Sequence, residues 1–258
     1  MKIGVIGAGY VGSAIINAYS EVADMVIVDT DLKRSKNTFN ELYDTAAIFV
    51  CVPSPANADG SCDGTILENI LVKLRSYKNI IICKTTATPD IYQRLAETYI
   101  NLVYVPEFLT AQNHLSDYIN DDSAIIGSNN SKYLSEAIIL LKRGQPNLNK
   151  VYPCSIKEAA FVKYVENCFL ATKVVFMNEM AEIAEENNIK WSQIAHLLEK
   201  DKRIGLSHCQ VPGPDGQYGF GGACLPKDTS AFLHYTKNFK HKPQLLELAV
   251  NKNNKWRS

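Results

Sequence analysis

Lys2-Ile3-Gly4-Val5-Ile6-Gly7-Ala8-Gly9-Tyr10-Val11-Gly12 opens the chain with a short apolar run, three glycines at GxGxxG spacing and the start of a helical pattern. The reading of this stretch decides the fold. An apolar run bounded by glycine reads as a strand, and Val11–Tyr19 continues at helical spacing. In that context Gly7 permits a tight turn, Gly9 lets backbone approach a pyrophosphate, and Gly12 lets helix pack close to strand. The unpaired N–H groups at the helix start then face the phosphates. An acid, Asp29, closes the next strand candidate, Met25–Asp29, about 20 residues on. A carboxylate there bonds the ribose diol of NAD and repels a 2′-phosphate, so NAD is expected over NADP. Gly7, Gly9, Tyr10, Val11, Gly12 and Asp29 are the expected cofactor contacts.

Working outward, the first half alternates further apolar runs, Ala47–Val52, Asn79–Lys84, Leu102–Val105 and Ser123–Ile126, with helical patterns near Thr65–Tyr77, Asp90–Tyr99 and Lys132–Lys142. Runs without period-two alternation indicate strands buried on both faces, and the strand–helix alternation predicts an α/β, Rossmann-type, doubly wound parallel sheet. After about Lys150 the pattern changes to one long helix, Ile156 to about Asn188, free of Pro and Gly. Helices are also expected near Trp191–Lys200 and Gln244–Lys255. The expected organisation is an NAD-binding domain over 1–153 followed by an all-α domain over 154–258 built on the long helix. A helix of that length crosses a domain or subunit boundary, so a homodimer through it is expected.

The 258 residues carry 27 basic and 27 acidic side chains, so no electrostatic footprint for nucleic acid or an anionic membrane exists. No apolar run has the length of a membrane span. Met1-Lys2-Ile3-Gly4 enters a strand at once, without a signal-peptide pattern. Seven cysteines without CxxC or His-cluster spacing argue against a disulfide framework and a metal site, and for a reducing, cytoplasmic setting.

A second stretch carries chemistry: Gly219-Phe220-Gly221-Gly222-Ala223-Cys224-Leu225-Pro226-Lys227-Asp228. Pro is favoured just inside a helix start, which puts Cys224 at the mouth of a helix beginning near Pro226. The positive end of that helix and the nearby Lys227 favour a thiolate, and the glycines leave room for a ligand. Cys224 is thus a candidate nucleophile. On the long helix, Lys163 and Asn167 are one turn apart and present an ammonium and an amide from one face, suited to a developing oxyanion.

The ordered set of motifs resembles the UDP-glucose/GDP-mannose dehydrogenase family, NAD-dependent enzymes that oxidise a nucleotide-sugar alcohol to a carboxylate. The landmarks are GxGxxG, Cys51-Val52-Pro53-Ser54-Pro55, Lys84-Thr85-Thr86, Pro106-Glu107-Phe108-Leu109, Lys163-Tyr164-x-x-Asn167 with Asn178-Glu179, Arg203-Ile204-Gly205, and Gly219–Asp228. The resemblance implies that Cys224 adds to the intermediate aldehyde as a thiohemiacetal, becomes a thioester, and is released by water. It further implies catalytic roles for Lys163, Asn167, Asp228, Glu107 and Thr86, with Glu107 activating the hydrolytic water and Thr86 holding it. Asp228 orients a water, with Lys163 accepting the proton of the first oxidation. Val52, Pro53, Thr86 and Lys227 join the expected cofactor contacts. Glu107, Phe108, Leu109, Lys163, Asn167, Arg203, Phe220 and Gly221 are the expected substrate contacts. Arg203 is expected to reach the sugar nucleotide of a neighbouring subunit, and packing is the other reading of Phe220.

The chain departs from the family pattern in places. Where relatives read EFLREG or EFLAEG it has Glu107-Phe108-Leu109-Thr110-Ala111-Gln112, and the loop after Thr86 reads Ala87-Thr88-Pro89-Asp90 without the usual glycine. Relatives continue into a second Rossmann-like, nucleotide-binding domain where this chain ends, at Ser258. The expected substrate is a nucleotide sugar, UDP-glucose foremost. A two-electron dehydrogenase of the 3-hydroxyacid type and an NAD-binding, catalytically weak short family member are the alternatives.

Overall fold

The computed structural model describes residues 1–110 and 112–258. Ala111, within the departure at 107–112, lies outside the described residues. The backbone resolves into two compact units, Met1–Pro55 with Asp63–Lys163, and Ala56–Cys62 with Tyr164–Ser258.

The first unit begins with β1 (Lys2–Ile6), α1 (Tyr10–Tyr19), β2 (Asp24–Val28), a short 3₁₀ helix (Phe39–Asp44), β3 (Ala47–Val50), α2 (Thr65–Lys73) and β4 (Ile80–Cys83). It continues with α3 (Pro89–Thr98), β5 (Leu102–Tyr104), α4 (His114–Asn120), β6 (Ser123–Gly127), α5 (Ser131–Gly144), β7 (Lys150–Cys154) and the start of α6 (Ile156–Glu186). The strands form one sheet in the order β2-β1-β3-β4-β5-β6-β7. Every residue of β3, β4 and β5 is buried, which is why these segments read as unbroken apolar runs. Alternate side chains, Ala47, Phe49, Ile80, Ile82 and Val103, join Ile3, Val5, Ile15, Tyr19, Tyr118, Tyr133 and Leu141 in one core, each large side chain contributing about 1.5–3 kcal/mol on burial. The order turns at β1, with β2 on one side and β3 on the other, so a topological switch point lies at their carboxyl ends.

The sheet is not wholly parallel as expected. β6 runs antiparallel to β5, with Tyr104 opposite Gly127, and β7, which the sequence pattern does not reveal, adds parallel to β6. β7 is an edge strand that is partly exposed along its length and contains Pro153. It therefore has neither an apolar run nor a clean alternation to read. α4 is likewise unannounced, because only Tyr118 of its seven residues is buried. α5 is conventional in its ends: Asn130 Oδ1 accepts from the N–H groups of Lys132 and Tyr133, and Lys142 and Arg143 occupy its last turn.

The second unit contains the rest of α6, α7 (Trp191–Leu198), α8 (Leu225–Thr236) and α9 (Gln244–Arg257). Tyr164 and Cys168 pack on Phe232 and Leu246, and Ala171, Val174 and Val175 pack on Phe220 and Ala249. The long connection from α7 to α8 has little regular structure and is held by side chains. Lys173 Nζ donates to the carbonyls of Ile204, Gly205 and Ser207 at 2.8, 3.3 and 2.6 Å. Trp191 Nε1 donates to Cys209 O at 3.0 Å. Among the described residues no helix is long and apolar enough to cross a membrane.

Candidate active site

In the first unit the glycine loop leaves β1 at the switch point. Gly7 sits at φ +90°, and a Cβ on it would lie 2.6 Å from Cys51 O; one on Gly12 would lie 1.8 Å from Gly7 O. Both positions therefore exclude any side chain. At Gly9 a Cβ would meet nothing within 4 Å, which leaves open space in front of the start of α1, where a pyrophosphate needs it. Asp29 closes the loop: its Oδ2 accepts from Ala8 N at 2.6 Å and its Oδ1 from Asp31 N at 2.8 Å. Burial pushes the Asp29 carboxyl up, but the Ala8 and Asp31 amides and the Arg34 charge outweigh it and hold the group below its ordinary value. Oδ1 also accepts from Thr30 Oγ1 at 3.5 Å, and Oδ2 retains a lone pair for a ribose hydroxyl. Tyr10, first residue of α1, is 61% exposed and meets His114 edge-on, with ring centroids 5.2 Å apart, while Val11 packs against the core. Val52 and Pro53 follow β3, and Thr85 Oγ1 donates to Val52 O at 2.8 Å while Ser54 Oγ donates to Thr86 O. The residues present fit a dinucleotide.

The ends of β4 and β5 add an ionic pair. Lys84 Nζ lies 3.0 Å from Glu107 Oε2, with side chains 3% and 11% exposed. Glu107 Oε1 accepts from Phe108 N at 3.0 Å. Lys163 Nζ stands 4.5 Å from the centroid of the Phe108 ring, a cation–π contact, and Leu109 packs against the core around Tyr118.

In the second unit Cys224 is the N-cap of α8, which begins at Leu225, one residue before the expected Pro226. Of the seven cysteines only Cys224 is exposed. Burial pushes the thiols of Cys51 and Cys168 up to about 12, the Asp228 charge adding to it at Cys168. Asp228 is 1% exposed; Asn167 Nδ2 donates to its Oδ2 at 2.6 Å and Lys227 Nζ donates to its Oδ1. The loop ahead of Cys224 is gripped by two buried asparagines: Gly219 N donates to Asn178 Oδ1 at 2.9 Å and Phe220 N to Asn253 Oδ1 at 2.6 Å. Phe220 is 4% exposed and packs on Ala171, Val174 and Val175. The Gly221 backbone lies beside Arg257, where a Cβ would come 2.5 Å from Nη1. Arg203 is 90% exposed and pairs with Asp201.

The first unit therefore places Gly7, Gly9, Gly12, Asp29, Val52, Pro53 and Thr86 beyond the carboxyl ends of β1 to β4, and Glu107 and Phe108 beyond that of β5. The second gathers Asn167, Lys227 and Asp228 at the helix that Cys224 caps. Arg203 stands apart from that group. The roles of Lys84, Lys173, Asn178 and Asn253 escaped the sequence. A lysine closing the apolar run Asn79–Lys84 signals a forced burial, whereas an asparagine within a helical pattern signals nothing. No group of three or more His, Cys, Asp or Glu suited to a metal occurs among the described residues.

Residues 30–143 match the family model for the NAD binding domain of the UDP-glucose/GDP-mannose dehydrogenase family, and residues 157–255 match the model for its central domain. The putative UDP-glucose 6-dehydrogenase YtcA of Bacillus subtilis is 31% identical over 293 residues, covering 97% of this chain and 66% of that protein. The UDP-glucose 6-dehydrogenase AglM of Haloferax volcanii is 25% identical over 98% of this chain and 69% of that protein. The chain thus spans about two thirds of the length of the curated relatives it matches. The solved UDP-glucose dehydrogenase of Pyrobaculum islandicum shares the fold, with a TM-score of 0.84 at 22% identity over 98% of this chain and 68% of that one. The cofactor is NAD: the first unit has the family's NAD-binding domain, with a glycine loop and an acid that fit it. With both of its parts matched in order, this chain belongs to the UDP-glucose/GDP-mannose dehydrogenase family.

Proposed function

We propose that this chain oxidises the primary alcohol of a nucleotide sugar, UDP-glucose at C6 foremost, to the carboxylate. The observation that carries the reading is Cys224: the one exposed cysteine among seven, at the cap of α8, behind a loop held by Asn178 and Asn253. NAD, when bound at the glycine loop, supplies the acceptor for the hydride released in each of the two oxidations. The chain's own residues manage protons, charge and the covalent intermediate. In the first oxidation Lys163 accepts the alcohol proton through a water that Asp228 orients. The Cys224 sulfur then forms a C–S bond to the aldehyde carbon, and Lys163 and the Asn167 amide stabilise the resulting oxyanion. Asn167 has a second N–H free for this after donating to Asp228. Loss of hydride from the thiohemiacetal leaves a thioester. Water, held by Thr86 and deprotonated by Glu107, adds to its carbonyl; the C–S bond breaks and the sulfur leaves as thiolate.

The same reading takes a homodimer. Val162, Val165, Phe169, Phe176 and Ile183 are 38, 46, 64, 53 and 52% exposed along α6. Their spacings of three, four, seven and seven residues make a stripe of the kind that packs helix on helix. A second copy covering it would place Arg203 near the neighbour's sugar nucleotide. Seven free thiols support a reducing, cytoplasmic setting.

The test is a panel of UDP- and GDP-sugars with NAD, counting NADH formed per sugar consumed. Two NADH per sugar is the expected result. One would mean a two-electron dehydrogenase, and none, with NAD still bound, a binding protein only. Cys224→Ser is expected to stall at or after the aldehyde, and unchanged carboxylate formation by that variant removes the nucleophile from the scheme.

A further inference from the structure

Lys84 directly follows β4, whose residues are all apolar and buried, and the strand carries the lysine in with it, leaving the residue 6% exposed. An ammonium in such a place must find compensating charge. Its Nζ lies 3.0 Å from Glu107 Oε2 and 5.7 Å from the centroid of the Tyr118 ring. The other Glu107 oxygen is taken by the Phe108 N–H. One carboxylate oxygen is therefore hydrogen-bonded by the backbone and the other ion-paired with Lys84, in the segments that follow β4 and β5, two strands paired with Cys83 opposite Tyr104. A glutamate side chain left alone would sample several rotamers. Here its carboxylate plane is set by the sheet.

We infer that Lys84 is a positioning residue for hydrolysis of the thioester. Its ammonium holds Oε2 so that the remaining lone pairs of Glu107 face an attacking water in one orientation. In the step it serves, the water oxygen bonds to the thioester carbon and its proton passes to Glu107. The C–S bond then breaks, with the electron pair returning to sulfur. The inference rests on the proposed role of Glu107 and adds what orients it.

The experiment follows turnover of the sugar that gives two NADH, with intact-mass measurement of the protein. Lys84→Met is expected to accumulate an acyl adduct on Cys224 and to release carboxylate about 100-fold more slowly, as misplaced groups do, with KM unchanged; Lys84→Arg recovers most of the rate. Because Lys84→Met strands a buried carboxylate and risks unfolding, the cycle includes Glu107→Gln and the double variant, which leaves no unpaired charge. If Lys84 acts through Glu107, the double variant is as slow as Glu107→Gln and no slower. A Lys84→Met protein that turns over like wild type, or slows without an adduct, overturns the inference. So does a double variant slower than Glu107→Gln by the factor seen in the single Lys84→Met change. Wild-type protein that forms no carboxylate from any sugar overturns the oxidation reading itself, and the inference with it.

Discussion

Gly219→Ala probes the loop that presents Cys224, and its cost can be worked from two separate distances. Gly219 sits at φ +75°, so alanine there adopts the left-handed region at about 1–2 kcal/mol. Its Cβ would also lie 2.3 Å from Asn253 Oδ1. That oxygen is the acceptor for Phe220 N at 2.6 Å. If Asn253 retreats, the Phe220 N–H is left buried and unpaired, costing about 1–3 kcal/mol more. The sum is about 2–5 kcal/mol. Gly222→Ala provides the control. Gly222 has the same φ of +75°, but its Cβ would meet nothing within 4 Å, so only the backbone cost of about 1–2 kcal/mol applies.

Urea unfolding followed by tryptophan fluorescence measures both variants, because the two tryptophans, Trp191 and Trp256, lie in the second unit. The expected difference between the variants is about 1–3 kcal/mol, and it should vanish in an Asn253→Ala background, where the obstacle is gone. Equal destabilisation by Gly219→Ala and Gly222→Ala, or a difference that survives Asn253→Ala, would refute the claim that Asn253 clamps the loop.

Three further outcomes are expected. Gly9→Ala should fold with wild-type stability yet lose NADH affinity, since its methyl fills only the open space before α1, whereas Gly12→Ala should lower stability as well, with Gly7 O 1.8 Å from the new Cβ; thermal melting with and without NADH separates the two. Iodoacetamide at pH 8 should modify Cys224 ahead of Cys51 and Cys168, whose thiols burial pushes up to about 12; peptide mapping that finds either of these labelled first contradicts the exposure described. Phe169→Glu with Phe176→Glu should give a folded monomer by analytical ultracentrifugation, because both side chains are more than half exposed in the single chain; a dimer that persists excludes the α6 stripe as its seam.

The elements that the sequence announced are those whose pattern reports burial on a regular period. β1, β3, β4 and β5 are buried along almost their whole length and read as apolar runs. α6, free of Pro and Gly, appears within two residues of its expected end. The glycine loop is legible because glycine itself is the signal: Gly12 is demanded by Gly7 O of the same turn, and Gly7 by its φ of +90° and by Cys51 O just beyond β3. β7 and α4 were not legible, because an exposed edge strand containing Pro153 and a helix with one buried residue leave no periodic trace. The antiparallel entry of β6 is a property of a long connection, on which strand composition is silent.

The site shows a different limit. Cys224, Asp228, Glu107 and Asp29 could each be singled out as a residue type in a motif, but what each one does depends on a partner far away in the chain. Asp228 is engaged by Asn167, Glu107 by Lys84, Asp29 by Ala8, and the backbone before Cys224 by Asn178 and Asn253. A carboxylate cannot be buried without such compensation, so the existence of partners follows from chemistry even where their identity does not. The partner identities in turn divide the labour. Lys227, expected near the cofactor or the thiol, is drawn to Asp228, which leaves the cap of α8 and the exposure of Cys224 as the features that set its sulfur apart from the other six. The Asp228 carboxylate thus gathers Lys227 at one oxygen and Asn167 at the other, beside the turn that Cys224 caps.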